Sequence, residues 1–355
     1  MGNIIRSTAT AFALGATAFS AGTFGLAASA SAEELNLYSL RQPFLIQPLI
    51  DAFTAETGTK VNIVFAKKGL LERIKAEGAN SPADAVLTVD IGRLQDMVEA
   101  GVLADTKSET LEAKIPAHLR DPDGKWYGLT QRARVFYVSK ELPVDQAPQT
   151  YEDLADPRFK GKICIRSAKN VYNVSMLASI VAHKGEEGAK TWLAGFKENL
   201  ARKPQGNDRA QAKAIFEGIC EVGIGNTYYY GKMATNEKKP EQKDWAKAIN
   251  VVFPNQGDRG AHVNVSGAGV LKSSKNKENA IKLIEFLASP KAQEIYAQQN
   301  FEYPVIEGVN IDAVTATLGD FKPDELSLAE IAKHRAAASK LVDEVGFDEG
   351  PSDGS

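Results

Sequence analysis

Three consecutive tyrosines, Tyr228, Tyr229 and Tyr230, follow the short apolar run from Val222 to Gly225, so they stand at the end of a predicted strand. If the chain turns into a helix there, successive side chains are about 100° apart, and Tyr228 and Tyr229 can both reach one point. Tyr172 stands at a second predicted strand-to-helix junction. Packing is the alternative explanation for each tyrosine, because the ring packs well wherever its hydroxyl finds a partner.

A cluster of phenols can bind a highly charged metal ion. A phenol normally keeps its proton up to about pH 10, but such a cation can displace it. The resulting phenolate oxygen is a hard ligand that suits a hard ion such as Fe(III). Three phenolates balance the charge of Fe(III), which lowers the cost of holding the ion in a partly closed cleft.

Motifs of the common enzyme classes are absent from the sequence. It contains no G-x-S-x-G, no H-E-x-x-H, no P-loop, no dinucleotide fingerprint and no Cys-x-x-Cys. The four histidines, at positions 118, 183, 262 and 334, lack the spacing of metal ligands. The stretch from Ser266 to Gly269 is glycine-rich but lacks the third glycine and the lysine of a phosphate cradle, and it predicts a tight turn in which the backbone approaches another group closely. An exported enzyme that uses the tyrosines in acid-base chemistry is an alternative, but it lacks a visible nucleophile or paired base.

The composition describes an ordinary globular protein. The chain has 355 residues, 43% hydrophobic content, 42 Lys plus Arg and 45 Asp plus Glu. This length allows about two domains, and the hydrophobic content excludes disorder over most of the chain. The net charge of −3 offers no basic excess for phosphate, which argues against a nucleic-acid partner. Four His and two Cys are too few for zinc modules.

The first 32 residues are typical of a secretory signal peptide. Arg6 precedes an apolar, small-residue run from Ala9 to Ala28, and Ala30-Ser31-Ala32 precedes two glutamates. We expect cleavage after Ala32; the alternative is an N-terminal membrane anchor. No later stretch approaches the roughly 20 apolar residues of a spanning helix, so the mature protein is predicted to be soluble outside the cytoplasm.

Cys164 and Cys220 are the only cysteines, and each lies in a short apolar run that predicts a strand. In an oxidising compartment such a pair is a candidate disulfide between neighbouring strands. The alternative is two buried free thiols.

Strands and helices alternate along the mature chain, which predicts an α/β fold with mixed, mostly parallel sheets flanked by helices. The alternation restarts after a strand at 134–139, so we expect two lobes joined by crossings near 129–133 and 255–259, with the ligand site in the cleft between them. The predicted segments are a first lobe at 33–130, a second lobe at 131–256, a return to the first lobe at 257–306, a helical segment packing on the second lobe at 307–347, and a flexible tail at 348–355.

The chain resembles the periplasmic ferric-ion-binding proteins, the iron-uptake branch of the transferrin-like, type II solute-binding proteins of ABC transporters. The segments that carry the resemblance are Ser81 to Leu94, Lys162 to Asn173, Ala201 to Met233, Phe253 to Ala297 and Phe301 to Val305. The tyrosine segment is the most specific of them. The resemblance implies a two-lobed, monomeric periplasmic protein that binds Fe(III), delivers it to an inner-membrane ABC permease and performs no catalysis.

By the same resemblance, Tyr172, Tyr228 and Tyr229 are the iron ligands, whereas Tyr230 packs. Relatives commonly supply His or Tyr just after the first strand, where this chain has Gln42 and a proline. The open positions on iron are then expected to take water or a small anion such as carbonate or citrate.

An anion needs a cationic partner, and the arginines at 41, 132 and 134 lie near the first strand and the expected crossover. Arg41 and Arg134 are our candidates for binding the anion or supporting the ligands, because the guanidinium offers a planar donor fork. Surface salt bridges are the alternative. Gln42 and Asp90 are candidates by position alone. A different ligand in the same cleft, a polyamine, a thiamine-like cation or an organic anion, is the alternative to iron.

Overall fold

The computed structural model describes residues 34–352; the predicted signal peptide and the last three residues lie outside them. The described residues form these strands: β1 (Glu34–Ser39), β2 (Lys60–Phe65), β3 (Ala85–Thr88), β4 (Tyr127–Ser139), β5 (Ile163–Cys164), β6 (Val222–Asn226), β7 (Ile249–Val252) and β8 (Val263–Val270). They form these α-helices: α1 (Pro43–Thr57), α2 (Leu70–Glu77), α3 (Ile91–Glu99), α4 (Glu109–Lys114), α5 (Val171–Glu198), α6 (Asp208–Phe216), α7 (Thr227–Ala234), α8 (Glu241–Lys247), α9 (Lys277–Leu287), α10 (Pro290–Asn300), α11 (Ala313–Ala316), α12 (Leu328–Lys333) and α13 (Arg335–Val345). Among them no helix is long and apolar enough to cross a membrane.

The strands form one mixed sheet in the order β2-β1-β3-β8-β4-β6-β5, with β7 also paired to β4. The long strand β4 changes partners along its length: residues 127–133 pair with β8, and residues 134–139 pair with β6 and β7. It therefore runs from a first lobe, built on β1, β2, β3 and β8, into a second lobe, built on β5, β6 and β7. The two-lobed α/β fold predicted from the alternation of elements is confirmed.

Fewer of the strand pairs are parallel than the alternation of strands and helices predicts. In the first lobe β1 pairs in parallel with β2 and β3, and β8 is antiparallel to β3. In the second lobe β5 and β6 are parallel, whereas β4 runs antiparallel to both β6 and β7. The difference arises because the crossing strands enter each sheet from the other lobe rather than through a βαβ connection.

The predicted tight turn from Ser266 to Gly269 is wrong, because these residues continue strand β8. A Cβ atom on Gly267 would lie 2.7 Å from the Tyr127 carbonyl oxygen, and one on Gly269 would lie 2.5 Å from that of Lys125. The small residues therefore allow a close backbone approach between β8 and the segment that leads into β4, and not a turn.

Two helical regions are interrupted. Helix α5 consists of two helices that meet at a kink at the non-helical Gly185 (φ 70°, ψ 170°). His334 separates the short helix α12 from α13. Helix α13 packs on α5, while Arg335 at its start donates from Nη1 to the Gly92 carbonyl (2.8 Å) and to Asp96 (2.8 Å) of α3. The lobe boundaries at 130, 256 and 306 stay predictions.

Cys164 and Cys220 form a disulfide, with Cα atoms 6.0 Å apart, so the alternative of two free thiols is excluded. Both cysteines are buried. The bond joins the end of β5 to the segment that enters β6, and these two strands are parallel neighbours. It thereby links the two strands that lead towards the tyrosines.

Candidate metal site in the cleft

A cavity of about 730 Å³ lies in the cleft, lined by residues of both lobes. From the first lobe, Arg41 and Gln42 in the turn between β1 and α1 line it, together with Phe44 in the first turn of α1. The second lobe contributes the tyrosines and two cations: Tyr172, Arg209, Tyr228, Tyr229 and Lys232. Arg132 of β4 and Glu302, which follows α10, also line it.

The tyrosines reach the cavity from the first turns of two helices. Helix α5 begins directly before Tyr172, whose backbone N–H donates to the side-chain oxygen of the capping residue Asn170 (3.1 Å). Helix α7 begins at Thr227, immediately after β6, so Tyr228 and Tyr229 lie in its first turn. Their ring centroids are 4.3 Å apart. The fold thus brings Tyr172, Tyr228 and Tyr229 to one cavity, whereas Tyr230 is not among its lining residues and packs against the core.

The two neighbouring phenols are unusually weak acids. Burial raises the pKa of Tyr228 well above its usual value, and the nearby Tyr172 and Tyr229 raise it further. Burial and Tyr172 raise the pKa of Tyr229 to about 12. Both phenols therefore keep their protons at neutral pH unless a cation replaces them.

Arg41 is a buried cation on the first-lobe side of the cavity, and not a surface salt bridge. Its Nη2 donates to Ser266 Oγ (2.6 Å) and to the Glu302 carboxylate (2.7 Å). Its Nε is buried and has no hydrogen-bond partner among the described residues. Arg132 donates to the same Ser266 hydroxyl from Nη1 (3.3 Å) and to the Val89 carbonyl from Nη2. Two guanidinium groups therefore converge on this wall of the cavity.

Arg134 is not placed to contact an anion in the cavity, so of the two roles expected for it only support of the ligands stays a prediction. Its Nη1 donates to Asp208 and Asn226, and its Nε and Nη2 donate to Asn173 Oδ1. The side chain is fully buried behind the tyrosine helices, so none of its nitrogens is free for a ligand.

The two residues chosen by position alone have different surroundings. Gln42 is exposed, lines the cavity and makes no capping hydrogen bond to α1, so its amide is available to a ligand. Asp90 is buried, caps α3 by accepting from the Gly92 N–H (2.7 Å), and accepts from Asn264 (2.8 Å). It does not line the cavity and is not a ligand candidate.

Sequence reasoning missed three charged residues of the site. Lys232 is one helical turn after Tyr228, a spacing that could have identified it, and its Nζ lies 5.0 Å from the Tyr228 ring centroid. Arg209 is the second residue of α6, and its guanidinium lies 5.6 Å from the Tyr229 ring centroid. Glu302 pairs with Arg41 across 261 positions of sequence, so no local pattern reveals it.

The cavity is rich in positive charge and poor in the usual metal ligands. Five lysines and arginines line it against two glutamates: Arg41, Arg132, Arg209, Lys232 and Lys238 against Glu237 and Glu302. Across residues 34–352 there is no group of three or more His, Cys, Asp or Glu that could hold a metal ion. The oxygen donors available here are therefore mainly phenols, beside cations that suit an anion.

Comparisons with known proteins give the following matches. Residues 80–323 match the family described as bacterial extracellular solute-binding protein. The chain is 48% identical over 316 residues to iron uptake protein A1 of Synechocystis, covering 89% of this chain and 88% of that protein. It is 51% identical to the solved Bordetella ferric binding protein (TM-score 0.85, 89% of this chain and 100% of that chain). It is 47% identical to a Trichodesmium protein solved in complex with iron and citrate ligands (TM-score 0.86, 88% and 99%).

Proposed function

The chain belongs to the family of bacterial extracellular solute-binding proteins, and from this we infer that it is the periplasmic binding component of a ferric iron ABC importer. It binds Fe(III) through the phenolates of Tyr172, Tyr228 and Tyr229 and delivers the ion to an inner-membrane permease. The observation that carries the proposal is the convergence of these three tyrosines on one cavity. The iron-related names of the relatives support the same cargo.

The charges around the cavity favour Fe(III) accompanied by an anion. Three phenolates balance the ion, and the five lysines and arginines of the lining outnumber its two glutamates, so positive charge remains to be neutralised by a ligand such as carbonate or citrate. Water fills any position that the anion leaves open. The relative that was solved with both iron and citrate supports this arrangement.

Export is part of the proposal. Residues 1–32 act as a signal peptide cleaved after Ala32, and the mature chain works in the periplasm as a binder without catalytic turnover. The Cys164–Cys220 disulfide supports an oxidising compartment.

An organic anion is the second candidate ligand, because the cationic lining of the cavity favours it. A polyamine or thiamine-like cation is disfavoured by the same lining, since Arg41, Arg132 and Lys232 would repel it.

A visible absorption titration tests the iron proposal. The purified, metal-stripped protein is titrated with ferric citrate, and we expect a phenolate-to-iron charge-transfer band that saturates at one iron per chain. A folded protein that shows no band, yet binds iron-free citrate in calorimetry, would support the organic-anion alternative and overturn the iron proposal.

Iron binding should release protons. Because the pKa of Tyr229 is raised to about 12 and that of Tyr228 lies well above its usual value, both phenols start protonated and must lose their protons to become ligands. We expect up to three protons per iron, so the affinity rises with pH and falls on acidification, by up to about 10³-fold per pH unit in the limit of full release.

The measurement is an iron titration in weak buffer with a pH indicator, corrected by titrating the iron source alone. Tyr230→Phe is the matched control, and it should release the same number of protons as the unaltered protein. Release of less than one proton per bound iron would contradict phenolate ligation.

A further inference from the structure

One buried carboxylate lies behind the tyrosines and connects three segments of the second lobe. Asp208, the first residue of α6, is fully buried and does not line the cavity. Its Oδ1 accepts from Arg166 Nη1 (2.9 Å). Its Oδ2 accepts from Arg134 Nη1 (2.5 Å) and from the Asn226 backbone N–H (3.0 Å). Both oxygens are therefore engaged, by groups from β4, from the end of β6 and from the segment that follows β5.

The partners of Asp208 lead directly to the tyrosines. The Arg166 guanidinium lies 5.6 Å from the ring centroid of Tyr172. Asn226 ends β6 immediately before α7, and its Nδ2 lies 3.4 Å from the Tyr228 hydroxyl oxygen. Asp208 thus connects to the two helix starts that carry the three tyrosines.

A second route closes the same network. Arg134 Nη2 donates to Asn173 Oδ1 (2.6 Å), and Asn173 follows Tyr172 in α5. Asn173 Nδ2 in turn donates to the carbonyls of Arg166 (3.1 Å) and Ser167 (3.0 Å). The position of each tyrosine helix therefore depends on hydrogen bonds that converge on the Asp208 carboxylate.

The carboxylate also balances charge. Arg134 is fully buried and Arg166 is largely buried, and Asp208 is the ion-pair partner of both. Without it, two guanidinium groups lose their counter-ion behind a site that has to accept a trivalent cation. The two guanidinium groups would then repel each other, which destabilises the fold, and would repel the bound Fe(III) ion, which weakens its binding.

We propose, on the basis of the iron function inferred above, that Asp208 is a positioning residue of the metal site. It holds the Tyr172 helix and the Tyr228–Tyr229 helix at the separation that lets all three phenolates contact one ion. It contacts no ligand itself.

Asp208→Asn tests the proposal, because it keeps the size of the side chain and removes its charge. We expect ferric affinity, measured by competition with a chelator, to fall about 10- to 100-fold, the usual cost of losing a group that orients metal ligands. The phenolate-to-iron band should shift or weaken at full iron occupancy, a change that a loss of stability alone would not cause. Circular dichroism checks that the variant is folded.

Asp84→Asn is the matched control. Asp84 is a buried aspartate of the first lobe that accepts from the Asn36 backbone N–H (2.9 Å) and from Ser274 Oγ (2.8 Å). Its replacement also removes a buried carboxylate charge, but far from the tyrosines along the sheet, so affinity and band should stay unchanged.

Arg166→Gln supplies a second variant in case Asp208→Asn does not fold. It removes the partner that contacts the Tyr172 ring and should weaken affinity and alter the band in the same direction. If a folded Asp208→Asn, or Arg166→Gln in its place, keeps the affinity and band of the unaltered protein, the positioning proposal is overturned while the iron function stands. If the unaltered protein itself shows no band, the iron function fails.

Discussion

Tyr229→Phe should lower the affinity for Fe(III) by more than the roughly 10- to 100-fold that loss of an outer partner costs, because on the proposed function it removes a direct ligand. The phenyl ring can still pack on Tyr228, so the change removes one hydroxyl and leaves the helix intact. Two phenolates then face a trivalent ion, and the site keeps an uncompensated positive charge beside Arg209 and Lys232. Tyr172→Phe should behave in the same way.

The measurement is chelator competition together with the visible spectrum, in which the charge-transfer band should weaken in both variants. Tyr230→Phe is the matched control, since it makes the same chemical change at the next position of the same helix on a side chain that does not line the cavity. Equal affinity and equal spectra for the variants at 229 and 230 would contradict the assignment of the ligands.

Glu302→Gln should destabilise the protein by about 3–5 kcal/mol at neutral pH, because it leaves the buried Arg41 guanidinium without its counter-ion. Burial by itself raises the pKa of Glu302, but Arg41 and Arg132 outweigh it and hold that pKa below its usual value. A lowered pKa in the folded state stabilises the fold above the unfolded pKa, near 4.5, and this contribution is lost as the pH falls through the folded pKa. The difference between variant and unaltered protein should therefore shrink in acid.

Urea unfolding between pH 3 and 8 measures this difference. Glu34→Gln is the control, because it removes one partner of an exposed pair with Lys60 (2.9 Å), and such pairs contribute about 1 kcal/mol or less. A Glu302→Gln protein as stable as the Glu34→Gln protein at pH 7 would show that the buried pair does not stabilise the fold.

The sequence predicts those parts of the molecule that depend on near neighbours in the chain. The alternation of elements predicts the lobes, and an apolar strand that ends in tyrosines predicts the start of α7. The disulfide follows from the presence of only two cysteines and a predicted export signal. The first two predictions depend only on residues that are close together in the chain. The third depends on the fact that two cysteines can form only one disulfide.

Groups that meet across long stretches of chain could not be predicted in this way. Arg132 and Arg134 are two positions apart in β4 and would face the same side of a regular strand. The strand changes partners between them, so Arg132 lines the cavity and Arg134 is buried behind the tyrosines. Asp208 and Glu302 have their roles only because the fold brings distant segments together.

The three tyrosines all belong to one lobe, on helices that follow β5 and β6, whereas Arg41 belongs to the other. Separating the lobes would therefore take the cationic wall away from the phenols without taking the phenols away from one another. On the proposed function, the order of events follows from this division. Iron first binds to the three phenolates of the second lobe, and closure then brings the anion-binding residues of the first lobe against it. Opening the lobes removes those residues again but leaves the iron bound to the phenolates. Final release has to act on the iron–oxygen bonds themselves, by protonation of the phenolates or reduction of the metal.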